Sequence, residues 1–337
     1  MRKKKAVSLQ VIADRLGISK FSVSKALSGK PGVGEETRQK VLALAKQLGY
    51  STRRGDEQGV ILLLLSREAT QEPAFWPSVL MGIHTEVNER GTSVVMAPLS
   101  EEDQAALKVP PAVDHVQVRG IICLGVLSEP YLKRIHGLGY PMVLVDHQVP
   151  TLPVDAVMAD NFAGGSAVAH HLADLGHRNV GFVGASGVAP SFDQRWLGFR
   201  EGADAVNLNL QPEWRLMQRG PHGRPWDGEW LRTELQRLQE WPTAWFCVND
   251  LTALTLQWVA SELGHRVPED LSIIGFDDIH GAERSVPPLS TVRVHKEALG
   301  IRGVERLYER INRPDQPPDL TLIRTELVAR NSVAALC

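Results

Sequence analysis

Residues 8–27, S-L-Q-V-I-A-D-R-L-G-I-S-K-F-S-V-S-K-A-L, constrain this chain more than any other stretch. Ser8 can cap a helix by accepting from a free backbone N–H. Leu9, Ile12, Ala13 and Leu16 then recur at helical spacing and give one apolar face. Gly17 follows the last of them, where a left-handed residue commonly ends a helix. Ser19 can cap a second helix that buries Val23, Ala26 and Leu27. Two short helices joined by a tight glycine turn make a helix-turn-helix. Lys20, Phe21, Ser22 and Lys25 fall on the outer face of the second helix, which is therefore cationic and hydroxylic, as a helix in the DNA major groove requires.

Any small helical domain can hold such a pair, so the charge distribution matters. Residues 1–54 carry 13 of the chain's 37 Lys+Arg but only 3 of its 39 Asp+Glu. The net charge of −2 thus conceals a basic head on an acidic body, the pattern expected when only the head meets phosphates. Residues 34–48 read as a third helix. Gly34 stands at its cap, Glu35 and Glu36 favour its positive dipole end, and Val41, Leu42, Ala45 and Leu48 form its apolar face.

Residues 51–59, S-T-R-R-G-D-E-Q-G, read as a polar linker. An apolar run at 60–65 follows, and strand-like segments at 94–97, 120–124, 142–146, 154–159, 180–183, 244–248 and 272–276 alternate with helical patterns at 76–90, 164–175, 195–205, 228–240 and 251–263. Such alternation predicts doubly wound parallel sheets. The length favours two subdomains with a cleft between them, and ligands in such folds sit at the carboxyl ends of strands. Asp146, Asp160-Asn161, Asn249-Asp250 and Asp277-Asp278 fall at those ends. Each can equally be a helix cap or turn residue, Asp160 and Asp250 above all.

No apolar run is long enough to span a membrane. Met1 to Lys5 are basic but precede an amphipathic helix, not a signal-peptide core, so a cytoplasmic protein is expected. Cys123, Cys247 and Cys337 are far apart, which predicts reduced thiols and neither a metal site nor a disulfide framework.

The chain resembles the LacI/GalR family of transcriptional regulators. In the head the resemblance rests on S-L-Q-V-I-A-D-R-L-G-I-S-K-F-S-V-S-K-A-L-S-G and on E-E-T-R-Q-K-V through L-G-Y. In the body it rests on A-D-N-F-A-G-G-S-A-V-A-H-H-L-A-D-L-G-H-R-N-V-G-F-V-G, D-Q-R-W-L-G-F, V-N-D-L-T-A, V-P-E-D-L-S-I-I-G-F-D-D and P-P-L-S-T-V-R. It spans nearly all of residues 7–331. It implies an all-α helix-turn-helix head at 1–50, a short atypical hinge at 51–59, and an α/β core at 60–337 built as two doubly wound parallel-sheet subdomains of periplasmic-binding-protein type. The N-subdomain would hold about 60–158 and 292–320, the C-subdomain about 159–291 and 321–337.

Carried over by position, Lys20, Phe21 and Lys25 match the family's base-reading residues. The lysines suit guanine O6 and N7, while Phe21 either meets a thymine methyl or simply packs. Ser19, Ser22, Ser28 and Thr37 match phosphate contacts, and Ser8 is counted with the DNA-facing residues. For a small-molecule effector, Arg195, Asn249 and Asp277 match ligand contacts, Asp146 lies at another, and Phe75 and Trp76 align with an aromatic segment lining the pocket. A charged fork, carboxylates and an aromatic face suit hydroxyl-rich ligands such as sugars. Nucleobases and nucleosides are the family's alternative effectors.

The hinge departs from the family. Family members follow G-Y with Pro-Asn-x-x-Ala-Arg-x-Leu, which folds on DNA and wedges a leucine into the minor groove. Here Tyr50 leads into 51–59, with no such leucine and two glycines, each costing a helix about 1 kcal/mol against alanine. No hinge helix and no leucine wedge are expected, with Arg53 and Arg54 touching phosphates or the minor groove instead.

The resemblance implies a sequence-specific regulator, most simply a repressor, that pairs as a homodimer on double-stranded operator DNA, answers to a small molecule and needs no cofactor. A ligand-binding protein without operator function is the second reading, weakened by the basic head. An enzyme is the third. His170, His171, His177 and the Asp277-Asp278 pair offer no nucleophile–base or metal spacing, and the adjacent aspartates should diverge. The terminal A-A-L-C carries no heptad, which argues against a coiled-coil tetramer.

Overall fold

The structure, a computed structural model, describes residues 9–27, 33–47, 59–72, 74–218 and 226–336. It divides near Val60 into a head and a core, which are described separately. The hinge at 51–58 and Cys337 lie outside the described residues.

The head consists of α1 (Leu9–Leu16), α2 (Lys20–Leu27) and α3 (Glu35–Gln47). Gly17 takes φ +63°, and Ile18 N–H reaches back to the Ala13 carbonyl at 3.1 Å, closing α1 with a left-handed glycine as its sequence predicts. Ser19 Oγ accepts from Ser22 N–H at 3.0 Å and so caps α2. Ile12, Ala13, Val23, Ala26, Val41 and Ala45 form the buried core of the head. Leu42 differs from expectation: it is 42 % exposed, and Leu44 packs against the core instead.

The core begins with β1 (Val60–Leu65), α4 (Arg67–Gln71), α5 (Trp76–Glu89), β2 (Ser93–Pro98), α6 (Glu101–Ala105), α7 (Ala112–His115), β3 (Val118–Leu124), α8 (Glu129–His136), β4 (Met142–Val145) and β5 (Asp155–Ala159). It continues with α9 (Asn161–Asp174), β6 (Val180–Ala185), α10 (Pro190–Ala205), β7 (Arg215–Gln218), α11 (Gly228–Gln236), β8 (Ala244–Cys247), α12 (Asp250–Glu262), β9 (Ser272–Ile274) and α13 (His280–Arg284). It closes with β10 (Thr291–Arg293), α14 (Lys296–Asn312), β11 (Leu320–Ile323) and β12 (Glu326–Val328).

Among the described residues the strands form a six-stranded sheet in the order β11-β5-β4-β3-β1-β2 and a four-stranded sheet in the order β7-β6-β8-β9. β3, β4, β5 and β11 run parallel, as do β6, β7, β8 and β9. A short antiparallel pair, β10 with β12, joins the crossovers between the two lobes. The chain leaves the first lobe after β5, returns at α14, and crosses again after β11, which ends at Ile323, a few residues past the expected 320.

Helices on both faces bury each sheet, so strand residues alternate between two cores. Ile61, Leu63 and Leu65 enter one cluster while Leu62 and Leu64 enter the other. The first cluster continues into the second lobe through Phe182, Phe199 and Phe246. Cys123 and Cys247 are buried free thiols, and burial raises both above the usual thiol range. α14 packs against α5 with backbones nearly touching: a β-carbon at Gly300 would stand 2.1 Å from the Val79 carbonyl oxygen. No described helix is long and apolar enough to cross a membrane.

Candidate functional site

In the head, Ser19, Lys20 and Phe21 are exposed, and Ser22, Lys25 and Thr37 are partly buried. Ser19 Oγ also lies 2.9 Å from Ser22 Oγ, so the two hydroxyls are paired at the start of α2. Lys25 Nζ sits 4.7 Å from the centroid of the Phe21 ring, a cation–π contact across one helical turn. Lys20, Phe21 and Lys25 therefore share the face opposite buried Val23 and Ala26. Ser8, Ser28, Arg53 and Arg54 lie outside the described residues.

In the core, the loops after β4, β8 and β9 and the start of α10 bring a second group together. Arg195, on α10, is only 2 % exposed. Its Nε donates to Asn161 Oδ1 at 2.9 Å, its Nη1 donates to the Val248 carbonyl at 2.8 Å, and its Nη2 pairs with Asp277 Oδ1 at 2.9 Å. The guanidinium also lies 3.9 Å from the centroid of the Phe276 ring. Its planar fork is thus held from every side.

Asp146 follows β4 from the opposite lobe. It is 8 % exposed, and its Oδ1 is buried with no hydrogen-bond partner. Burial pushes its carboxyl up to about 7; Arg195 opposes the shift and Asp277 adds to it. Arg195 and Asp277 are thus the charged groups that act on the Asp146 carboxyl. Asp277 is raised as well, by burial first and against Arg195 and Lys296. Asp146, Asp277 and Asp278 take φ values of +55°, +113° and +54°, left-handed geometry of the kind that concentrates at binding sites.

Phe75 and Trp76 are both buried, with ring centroids 5.1 Å apart at 76°. Lys296 Nζ lies 5.9 Å from the Phe75 ring. Both rings belong to the apolar core. Asn249 Oδ1 accepts from Thr252 N–H at 3.0 Å and Thr252 Oγ1 at 2.6 Å, so it caps α12. Asp250, expected as a cap, is instead buried one residue inside the helix. It accepts from Thr291 Oγ1 at 2.5 Å and Ile279 N–H at 2.8 Å, and burial, with Asp277 next, pushes its carboxyl up to about 8. Asp160 does cap α9, through Ala163 N–H at 3.2 Å. Asp278 turns away from Asp277 to pair with Arg293 at 2.7 Å and Arg330 at 2.6 Å, so the two aspartates diverge as expected.

A model of the lacI family of bacterial regulatory proteins matches residues 8–53, and a periplasmic binding protein-like domain matches residues 169–333. The chain belongs to the LacI family. It is a DNA-binding transcriptional repressor of that family, and not an enzyme. Among curated relatives, the HTH-type transcriptional repressor PurR of Mannheimia succiniciproducens is 27% identical over 331 residues, covering 97% of this chain and 98% of the relative. The PurR of Haemophilus influenzae is 28% identical over 340 residues, covering 98% and 99%. Among solved structures, the transcriptional regulator CelR–cellobiose complex aligns with TM-score 0.72 at 26% identity, covering 97% of this chain and 99% of that one. The lac repressor dimer bound to operator and the anti-inducer ONPF shares the fold, with TM-score 0.71 at 23% identity and coverage of 98% and 100%.

Within this LacI-family core, Lys296 and Glu72 escaped the sequence. Lys296, at the start of α14, donates to the Asp277 and Asp278 carbonyls and so ties the two lobes together. Burial lowers its pKa, against the pull of Asp277, Asp250 and Asp278. Glu72 accepts from Ala74 and Phe75 N–H groups at 2.8 and 2.9 Å, and burial raises its carboxyl beside Asp277 and Lys296. Asn161, one of the strand-end residues, orients Arg195. Lys296 sits in no pattern that spacing reveals, because it meets Asp277 and Asp278 only after the chain has crossed between lobes.

Proposed function

We propose that this repressor is controlled by a sugar or sugar derivative held between the two lobes by Asp146, Arg195 and Asp277, with Phe75 as its aromatic wall. The observation that carries the reading is the unpartnered Oδ1 of buried Asp146. Such an acceptor asks for a donor, and the neighbouring cations are directed elsewhere: Arg195 donates to Asn161 and Val248 and pairs with Asp277, and Lys296 donates to backbone carbonyls. A ligand rich in hydroxyl donors fits that need, and Phe75 offers an apolar face for a sugar ring. The CelR–cellobiose complex supports a carbohydrate. The relatives named PurR favour the second reading, a nucleobase or nucleoside.

The protein acts in the cytoplasm as a homodimer on palindromic operator DNA, with Ser8, Ser19, Lys20, Phe21, Ser22, Lys25, Ser28, Thr37, Arg53 and Arg54 as its DNA contacts. Exposed Met81 on α5 and Met96 on edge strand β2 supply an apolar surface for pairing. Effector binding changes operator affinity only through its different affinity for the DNA-bound and free states. Fluorescence anisotropy of operator DNA, titrated with sugars and with nucleobases, tests this. A sugar that shifts the operator dissociation constant supports the reading; a response to nucleobases alone replaces it with the second.

A further inference from the structure

Phe21 is the most exposed large apolar side chain described in the head, at 68 %. Its neighbours on α2 explain why it stays out. Val23 and Ala26 fill the buried face, and the Ser19 cap fixes where the helix begins, so the Phe21 ring projects from the side that carries Lys20 and Lys25. Lys25 lies one turn further on, with its ammonium 4.7 Å from the ring centroid. That contact restrains a ring that lies largely in solvent.

We infer that Phe21 reads a thymine 5-methyl group in the operator, with Lys25 as the positioning residue that holds its ring. A phenyl ring has no donor or acceptor, so it cannot read a base by hydrogen bonding. In the major groove the one apolar feature that differs between base pairs is the thymine methyl. A phenyl face exposed on a groove-facing helix is therefore selective for thymine at the base pair beneath it. The inference rests on the DNA-binding reading of the head and adds a chemical identity for one operator position.

The test starts from operator duplexes selected out of a random library by the full-length protein. Each thymine in the selected half-site is then replaced by uracil, which removes only the methyl. The expected result is one position per half-site where the replacement weakens binding about fourfold, the size set by burying a single methyl group. In Phe21→Ala, whose exposed position leaves folding intact, that sensitivity should vanish while preferences at the other positions persist. Phe21→Tyr keeps the ring and should restore it. Lys25→Met should reduce the discrimination as well as the overall affinity. Indifference of the unmodified protein to every thymine-to-uracil change overturns the inference, and so does a sensitivity that survives in Phe21→Ala. Both outcomes leave DNA binding standing. A library in which no sequence enriches contradicts the DNA reading itself and takes the inference with it.

Discussion

Arg195 Nη2 lies 2.9 Å from Asp277 Oδ1, both groups are buried, and the ring of Phe276 supports the guanidinium at 3.9 Å. The pair joins α10 to the segment after β9 that also carries Phe276, within the second lobe. Removing one partner strands the other. In Arg195→Ala, Asp277 keeps its burial and its repulsion with Asp146 and Asp250 but loses its largest compensating charge. Breaking a buried pair in this way costs about 3–5 kcal/mol. The expected outcome is a large loss of core stability in urea unfolding. Arg195→Lys should keep the charge yet lose the contacts to Asn161 or Val248, because an ammonium cannot span the fork.

Asp146 makes the core sensitive to pH. Its carboxyl lies at about 7 in the folded chain, against 3.8 for the ordinary group. The folded state thus retains a proton that the unfolded state releases from about pH 4 upward. Stability therefore falls as pH rises through this window, and the loss is complete above about pH 7. Asp146→Asn removes the penalty. Thermal unfolding without ligand should show the variant melting about 2–4 °C higher than the parent at pH 8 and level with it at pH 4. Equal shifts at both pH values would show that Asp146 is solvated.

The α5–α14 crossing depends on a missing β-carbon. One added at Gly300 would stand 2.1 Å from the Val79 carbonyl oxygen, which is backbone and cannot swing away. Gly300→Ala should cost about 1–3 kcal/mol through overpacking, despite alanine's better helix propensity. The urea midpoint of the core reads this directly. A stabilised variant would mean that the helices lie further apart.

Ser19→Ala removes the cap of α2. The loss of roughly 1 kcal/mol should make the Ser22 amide exchange about fivefold faster, with amides of the core unaffected. Unchanged exchange at Ser22 would place the start of α2 elsewhere.

Local physics carried the head and the strands into view from sequence alone. Gly17 and Ser19 mark the helix boundaries because their chemistry is local, and the short apolar run at 60–65 reads as a candidate buried strand. Leu42 misleads because helical spacing spans more than one face, and the faces that meet neighbours bury Val41 and Ala45. In α14, Gly300 and Gly303 weaken the helical signal of the sequence. Those glycines serve a close approach to α5 and to Val145 that only the tertiary fold displays. Arg195, Asp146 and Asp277 were reachable through family resemblance. Lys296 and Glu72 were not, since their meaning lies in the opposite lobe. Asp250 was misplaced by one residue: strand-end aspartates commonly cap helices, but here Asn249 takes that role and frees Asp250 to bind Thr291.

A hydroxyl-rich effector that satisfies Asp146 should bind only while that carboxylate is present. Thermal unfolding of the full chain against a panel of sugars, sugar phosphates, nucleobases and nucleosides tests it most directly. A ligand at about 100 times its dissociation constant adds roughly 2.7 kcal/mol to stability. A sugar-class ligand is expected to raise the melting temperature of the unmodified protein and to have no effect on Asp146→Asn. A shift from nucleobases alone, or a sugar shift undiminished in Asp146→Asn, would contradict it.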